Sequence, residues 1–127
     1  MIDHLSIAVS DLERSAAFYA AILAPLELTR LVERPQTIGF GKRYPEIWLN
    51  ARPAMAPIAA DTGAHIALRA PSPEAVSAFH TAALAHGGTC DGPPGPRKAA
   101  MTTYFGAFVR DPEGNRIEAV HFPRPAA

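Results

Sequence analysis

The chain has one cysteine, no net charge and no long apolar run, and each shortage excludes a class of protein. Cys90 has no partner for an internal disulfide and cannot build a cysteine-rich zinc site. Twelve basic residues balance twelve acidic ones without forming a cluster, so we expect no nucleic-acid partner. Since we find no leader-like segment and no apolar segment of membrane length, we expect a soluble cytoplasmic protein without membrane contact.

An internal repeat organises the sequence. A shift of 61 positions lays HLSIAVSDLERSAAFYAAIL, which begins at His4, on HIALRAPSPEAVSAFHTAAL, which begins at His65. The two stretches agree at six positions without a gap, and the agreements fall on a short strand that begins with histidine and on the helix that follows. We therefore expect one domain over residues 1–127, with module one at about 1–57 and module two at about 62–123.

Each copy carries the signals of a β-α-β-β-β module, so the predicted fold class is α+β. Ser10 and Glu13 have the spacing of a capping box and predict a helix at about 11–23. Ser72, followed by a proline where a helix tolerates it, predicts a second helix at about 73–86. Strand-like segments follow each helix: LELTRLVE, TIGFG and EIWLN in the first copy, and GTCDG, YFGAFVR and RIEAVHF in the second.

Two connections in the second copy have distinct signals. DPEGN, at 111–115, combines a proline with a glycine that can adopt positive φ, and it predicts a hairpin turn that sets the register of the last strand. DGPPGPRKAAMTT, at 91–103, reads as a long loop, and a loop of this length is a candidate lid or pocket wall.

Three side chains suggest a metal site. His4 and His65 open equivalent strands of the repeat, and Glu118 lies in an apolar segment where a carboxylate is costly unless it is paired or bound to a cation. If the modules pack with their sheets facing, the three side chains meet in the cleft. Two imidazoles and a carboxylate are a common ligand set for Fe(II), Mn(II), Zn(II) or Ni(II) and leave positions open for substrate. The alternative is ordinary buried polar residues with hydrogen-bond partners.

Three stretches carry a family resemblance: DHLSIAVSDLERSAAFY, AHIALRAP and DPEGNRIEAVHF. With the paired modules, they resemble the vicinal oxygen chelate superfamily over essentially the whole chain; it includes glyoxalase I, extradiol dioxygenases, fosfomycin-resistance thiol transferases and bleomycin-resistance proteins. The resemblance implies a curved mixed sheet around a central cleft and a substrate that chelates one divalent metal on His4, His65 and Glu118. It also points to a homodimer, which would cover exposed sheet edges.

The branches of the superfamily differ at a fourth position. Trp48 lies opposite Glu118 in the repeat, where glyoxalase I has a metal-binding glutamate or histidine, and an indole nitrogen does not ligate metals. Glu46, two residues earlier, is the alternative fourth ligand. The dioxygenases of the superfamily carry an extra acid/base histidine between their two histidine ligands, and this chain has none between His4 and His65.

The fosfomycin-resistance branch is similar in further details. It has a tryptophan in the strand of Trp48, a hydroxyl residue two positions after the first histidine, here Ser6, and a lysine before the last hairpin, here Lys98. Its tyrosine before the last turn is replaced by Phe108, although Tyr104 is nearby, and its potassium-binding loop is not evident.

We therefore expect a metal-dependent enzyme that acts on a small oxygenated or electrophilic molecule, of the lyase, isomerase, dioxygenase or thiol transferase type. The candidate catalytic residues are Ser6, Lys98 and Tyr104. Trp48 and Arg97 are the candidate substrate-binding residues. The alternative function is a metal-independent protein that sequesters a drug or metabolite in the cleft, as the bleomycin-resistance branch does.

Overall fold

The computed structural model describes residues 1–123 and has two four-stranded sheets and two α-helices within them. Positions 124–127 of the predicted domain lie outside the described residues. In chain order the elements are β1 (Leu5–Val9), α1 (Leu12–Leu23), a 3-10 turn (Ala24–Leu26), β2 (Thr29–Arg34), β3 (Thr37–Gly41), β4 (Pro45–Ala51), β5 (His65–Arg69), α2 (Pro73–Ala85), β6 (Thr89–Lys98), β7 (Thr103–Arg110) and β8 (Arg116–His121). The predicted α+β class and the order β-α-β-β-β, twice, are confirmed.

The two sheets have the same topology. Their strand orders are β1-β4-β3-β2 and β5-β8-β7-β6, with the first pair of each sheet parallel and the other pairs antiparallel. Ser6 in β1 lies opposite Trp48 in β4, and Ala67 in β5 lies opposite Glu118 in β8. Because Ser6 and Ala67 are each two residues after a repeat histidine, the register confirms that Trp48 and Glu118 are equivalent positions.

Helix α1 begins one residue later than predicted and has a different cap. The carboxylate of Asp11, at the N-cap, accepts a hydrogen bond from the amide of Arg14 at 3.1 Å. The predicted capping box is wrong, because Ser10 donates from its amide and its hydroxyl to Glu113 Oε1, at 2.6 and 2.5 Å. The carboxylate of Glu113, in the last hairpin, therefore replaces that of Glu13 as the acceptor for Ser10.

Helix α2 matches its prediction closely. The Ser72 hydroxyl accepts from the amide of Ala75 at 3.1 Å, and Pro73 occupies the first helical position, where its missing N–H costs nothing. The helix ends at Ala85, one residue earlier than predicted, with His86 as its C-cap.

The predicted loop at 91–103 is for the most part a strand. Strand β6 continues to Lys98 and pairs with β7, and register shifts between Cys90 and Gly95 accommodate the two prolines that cannot donate to the ladder. The prediction of a loop or lid is therefore wrong for most of this segment, which is part of a sheet. The alternative of a pocket wall agrees with the structure, because Asp91, Gly92 and Arg97 line a surface pocket. The DPEGN turn is confirmed, with Gly114 at φ +98°.

One hydrophobic core lies on the helix-covered faces of both sheets. The helices contact each other, α1 packs on β2, β3 and β4, and α2 packs on β6, β7 and β8. In β1, Ile7 and Val9 are buried against this layer, whereas Ser6 and Ala8 on the other side are exposed. Each sheet thus has a helix-free side, here called its open face, and the two open faces lie on opposite sides of the helical layer.

No helix within residues 1–123 is long and apolar enough to cross a membrane.

Candidate functional site

Glu118 is the best-defined functional candidate. Its side chain, 5% exposed, projects from β8 between two neighbouring strands. The phenol of Tyr104 donates to Glu118 Oε2 at 2.8 Å, and Nε2 of His65 lies 3.3 Å from Glu118 Oε1. This buried carboxylate therefore accepts a hydrogen bond at Oε2 and has an imidazole beside Oε1, both from residues that the sequence singled out.

The surroundings of Tyr104 keep it protonated. Burial, and then the hydrogen bond and charge of Glu118, raise the pKa of the Tyr104 phenol, and the nearby Arg97 opposes them. Its ring stacks on Phe122 with the centroids 4.9 Å apart. Tyr104 is thus fixed as a hydrogen-bond donor to Glu118.

Beside this pair, the open face of module two has a surface pocket. Its lining residues are His65, Asp91, Gly92, Arg97, Phe108 and Arg116. The Arg97 guanidinium lies over the ring of Phe108, with Cζ 5.4 Å from the centroid, and the imidazole of His65 lies 6.4 Å from the same ring. The pocket therefore combines an imidazole, an aromatic ring, a carboxylate and two arginines.

The remaining sequence candidates divide between two places. His4, Ser6 and Trp48 line an open pocket on the open face of module one. The side chain of His4 is 54% exposed, and its Nδ1 lies 2.6 Å from the carboxylate of Asp3. Trp48 lies so close over Gly39 that a Cβ there would come within 2.9 Å of the indole. This glycine allows the indole to lie flat on the sheet.

The two groups of candidates do not meet within one chain. Among residues 1–123, no group of three or more histidine, cysteine, aspartate or glutamate side chains is arranged to hold a metal. The reason is the packing of the modules: the helices lie between the sheets, so His4 is on one open face while His65 and Glu118 are on the other. The sequence predicted convergence only for sheets that face each other.

Two further candidates lie outside both pockets. Lys98 is exposed at the end of β6, opposite Thr103. Glu46 is exposed and accepts a hydrogen bond from the amide of Lys42 at 3.4 Å. The alternative of Glu46 as a ligand beside His4 thus has no support from the geometry.

Sequence reasoning missed Asp91 and Arg116, which line the module-two pocket. Arg116 Nε and Arg110 Nε lie 3.6 and 3.5 Å from the Asp91 carboxylate. Arg116 is also opposite His65 in the β5–β8 register, so pairing HIALR with RIEAV would have placed it there. Asp91 falls in the segment predicted as a lid or pocket wall, but nothing in the sequence pattern singled it out from its neighbours in that segment.

Sequence reasoning also missed the polar contacts that join α1 to the last hairpin. Tyr19 in α1 donates to Asp111 Oδ2 at 2.5 Å, and Arg14 lies 3.1 Å from Glu113. The partners are 92 and 99 residues apart in sequence, a separation that local patterns cannot connect. These contacts fix the hairpin that leads into β8 and thereby support the position of Glu118.

Comparison with known proteins agrees with the fold. The sequence profile of the Glyoxalase/Bleomycin resistance protein/Dioxygenase superfamily matches residues 1–119. The chain is 35% identical to a glyoxalase/bleomycin resistance protein from Albidiferax ferrireducens T118, with a TM-score of 0.81 over 94% of this chain and 97% of that one.

Two other solved structures resemble the fold at lower identity. A glyoxalase/dioxygenase from Nostoc punctiforme has 21% identity and a TM-score of 0.74, over 98% of this chain and 92% of that one. A glyoxalase/bleomycin resistance protein/dioxygenase family enzyme from Burkholderia phytofirmans PsJN has 19% identity and a TM-score of 0.71, over 94% and 97%. No curated protein matches the sequence. The profile match, the repeat and the fold together establish that the chain belongs to the glyoxalase/bleomycin resistance protein/dioxygenase superfamily.

Proposed function

We propose that the protein is a divalent-metal-dependent enzyme that acts on a small oxygenated molecule as a homodimer. In each of two equivalent sites, His65 and Glu118 of one chain and His4 of the second chain hold one Zn, Mn, Fe or Ni ion. The observation that carries the proposal is the buried Glu118 carboxylate paired with an imidazole at an open face. A reaction of the lyase, isomerase, dioxygenase or thiol transferase type is compatible with this ligand set.

The donor atoms of module two fit a metal ion. His65 Nε2 and Glu118 Oε1 are 3.3 Å apart. Donors this close together could both reach one ion, which they would hold as a Lewis acid. Both donor types are ordinary ligands of the proposed ions, and the 51% exposure of the His65 side chain leaves the site accessible.

The open faces supply the argument for a second chain. The face of module one presents His4 with Ser6 and Trp48, and that of module two presents His65 with Glu118. Packing module one of one chain on module two of another brings the two half-sites together, and two-fold symmetry repeats the contact. It would also cover sheet edges that have no partner strand within residues 1–123.

The chain's own residues have defined roles in this arrangement. Tyr104 holds Oε2 of Glu118 and so leaves Oε1 free to ligate. The bound ion would supply a Lewis acid that polarises a substrate oxygen. Trp48 lies at the repeat position of Glu118, and because its indole nitrogen only donates, it lines the substrate space without ligating. Ser6, next to it on the same face, offers a hydroxyl to the substrate.

The first test is the metal content of purified protein reconstituted with each of the four ions. Wild type should hold about one ion per chain, whereas His65→Ala and Glu118→Gln should each lose at least about 90% of it, since removal of one of three ligands typically costs far more than tenfold in affinity. His86→Ala is the matched control, because within the described residues that imidazole bonds only to the carbonyl of Ala82 at the end of α2.

The second test asks whether the site is shared between chains. His4→Ala and His65→Ala should each be metal-free alone, but refolding them together should restore about a quarter of the wild-type content, because half of the dimers are mixed and each has one intact site. If co-refolding restores nothing, the three ligands do not come from two chains.

The metal content also decides between the two candidate functions. A wild-type protein with no more metal than the doubly substituted His65→Ala, Glu118→Gln variant would overturn the metal-dependent function. If that metal-free dimer binds a small molecule in its cleft, the sequestering function of the bleomycin-resistance branch is supported instead.

A further inference from the structure

We propose that Arg97 makes the site selective for substrates that carry an oxyanion, either a carboxylate or a phosphoryl group. The guanidinium binds this oxyanion beside the metal. This inference rests on the proposed function and names the substrate class of the same site. The arginines in and around the module-two pocket differ in whether a carboxylate neutralises them.

Arg97 differs from its neighbours in having no counter-ion among residues 1–123. Arg110 and Arg116 both lie within 3.6 Å of the Asp91 carboxylate, and Arg116 also lies 3.7 Å from Asp61. No carboxylate within the described part of the chain comes within ion-pair distance of Arg97, and its buried Nε has no hydrogen-bond partner there. A guanidinium stays charged at every accessible pH, so this unneutralised positive charge favours the binding of an anion.

The Arg97 side chain is held in place for such a ligand. One terminal nitrogen donates to the carbonyl of Pro93, and the guanidinium plane is supported by the ring of Phe108, 5.4 Å below. Because these contacts already restrict its rotamers, little conformational entropy remains to be lost when an oxyanion binds. The planar fork matches a carboxylate or phosphoryl group in a way that a single ammonium does not.

Arg97 is also near the reacting end of the site. It shares the pocket with His65, it lies opposite Tyr104 in the β6–β7 register, and Tyr104 contacts Glu118. Two neutral imidazoles, one carboxylate and a divalent ion carry a net charge of about +1, to which Arg97 adds another. An anionic substrate that reaches both the ion and Arg97 neutralises this excess, whereas a neutral one leaves Arg97 without a partner.

The experiment measures anion binding directly on metal-free and metal-loaded protein. The probes are acetate for the carboxylate class, methylphosphonate for the phosphoryl class and acetamide as the neutral control. The readout is the Nε–Hε signal of Arg97 in ¹H–¹⁵N spectra, assigned by its loss in Arg97→Lys. We expect acetate or methylphosphonate, and not acetamide, to shift this signal in both forms, and the stronger of the two anions identifies the oxyanion class.

Variants connect the binding to Arg97. Affinity for the stronger anion, measured by calorimetry, should fall about tenfold or more in Arg97→Gln, the usual effect of losing a charge-assisted pair of hydrogen bonds. Arg97→Lys, which keeps the charge without the fork, should be intermediate. Arg52→Gln makes the same charge change at an exposed side chain whose one hydrogen bond among residues 1–123 is to the neighbouring carbonyl of Ala51, and it should match wild type. Thermal unfolding of each variant shows that it is folded.

The outcomes separate this inference from the proposed function. Anion binding that depends on Arg97 in a protein that takes up no metal would sustain the anion site and overturn the metal-dependent function. A metal-loaded protein whose anion affinity is the same with Arg97, Gln or Lys at this position would sustain the metal and overturn the anion site. Failure of both anions to bind in either form also overturns it.

Discussion

The hydrogen bond between Tyr19 and Asp111 is the buried polar contact that joins α1 of module one to the last hairpin of module two. The phenol of Tyr19, 1% exposed, donates to Asp111 Oδ2 at 2.5 Å, and Asp111 is 4% exposed. The same carboxylate also accepts from the amides of Glu113 and Asn115, at 3.0 and 2.8 Å, and from the Asn115 side chain at 2.9 Å. Removing the phenol oxygen therefore takes one hydrogen bond from the Asp111 carboxylate and leaves it the other three.

Tyr19→Phe should lower the free energy of unfolding by about 2 kcal/mol. A hydrogen bond to a charged group contributes roughly 1.5–3 kcal/mol, and the three remaining donors to Asp111 place the loss in the lower part of that range. Phenylalanine fills the same space, so no cavity term is added. In a domain of this size the melting temperature should fall by roughly 8 °C.

The assay is urea and thermal unfolding at pH 7, followed by far-ultraviolet circular dichroism. Tyr44→Phe is the matched control, because Tyr44 is 73% exposed, and it should stay within about 0.5 kcal/mol of wild type. A loss in Tyr19→Phe no greater than that of the control would refute the claim that this contact stabilises the packing of the two modules.

The same bond predicts how stability changes in alkali. Burial, followed by the charge of Asp111 and the hydrogen bond to it, raises the pKa of Tyr19 well above its ordinary 10.0. The folded chain therefore holds this proton to higher pH than the unfolded chain, so the contribution of Tyr19 is complete below pH 10 and is lost as the pH rises beyond it. Stability should fall less steeply above pH 10 in Tyr19→Phe than in wild type.

Two further predictions concern the acid limb and the open face of module one. Burial raises the pKa of Glu113, but the bonds from Ser10 and the charge of Arg14 outweigh it and leave the pKa below its ordinary 4.5. The stability it contributes is present above pH 4.5 and lost as the pH falls, so Ser10→Ala should flatten the acid limb in urea titrations between about pH 3 and 6. Trp48 is the only tryptophan, and its emission should be quenched by Co(II) in wild type but not in His4→Ala; equal quenching would place Trp48 away from the metal.

Features that depend on neighbours along the chain could be predicted from the sequence. The repeat, the α2 cap at Ser72 and the turn at Gly114 follow from local patterns, and the structure confirms them. The equivalence of Trp48 and Glu118 followed from the repeat alone, because a duplicated strand keeps its register. Each of these features depends on a few neighbouring residues or on the pattern within one module.

Features that depend on packing between modules could not be predicted. Ser10 has the local spacing of a capping box, yet its hydroxyl donates to Glu113, because the other module brings this half-buried carboxylate to 2.5 Å. Strand β6 could not be recognised because its prolines argue against a strand. They fit into the sheet only because register shifts relative to β7 remove the need for their missing N–H groups. The separation of His4 from Glu118 has the same origin, because helix packing decides which sides of the sheets remain open.

The duplicated module explains why the proposed ligand set is divided. Each copy buries one side of its sheet under its own helix and leaves its histidine on the other side, so packing the two helices together places the histidines apart. Under the proposed function, a complete ligand set requires the open face of module one in one chain to meet that of module two in another. Under the proposed arrangement the copies are free to diverge: Trp48 shapes the substrate space while Glu118 ligates. Substitutions on the face of His4 would therefore act on the site of the other chain.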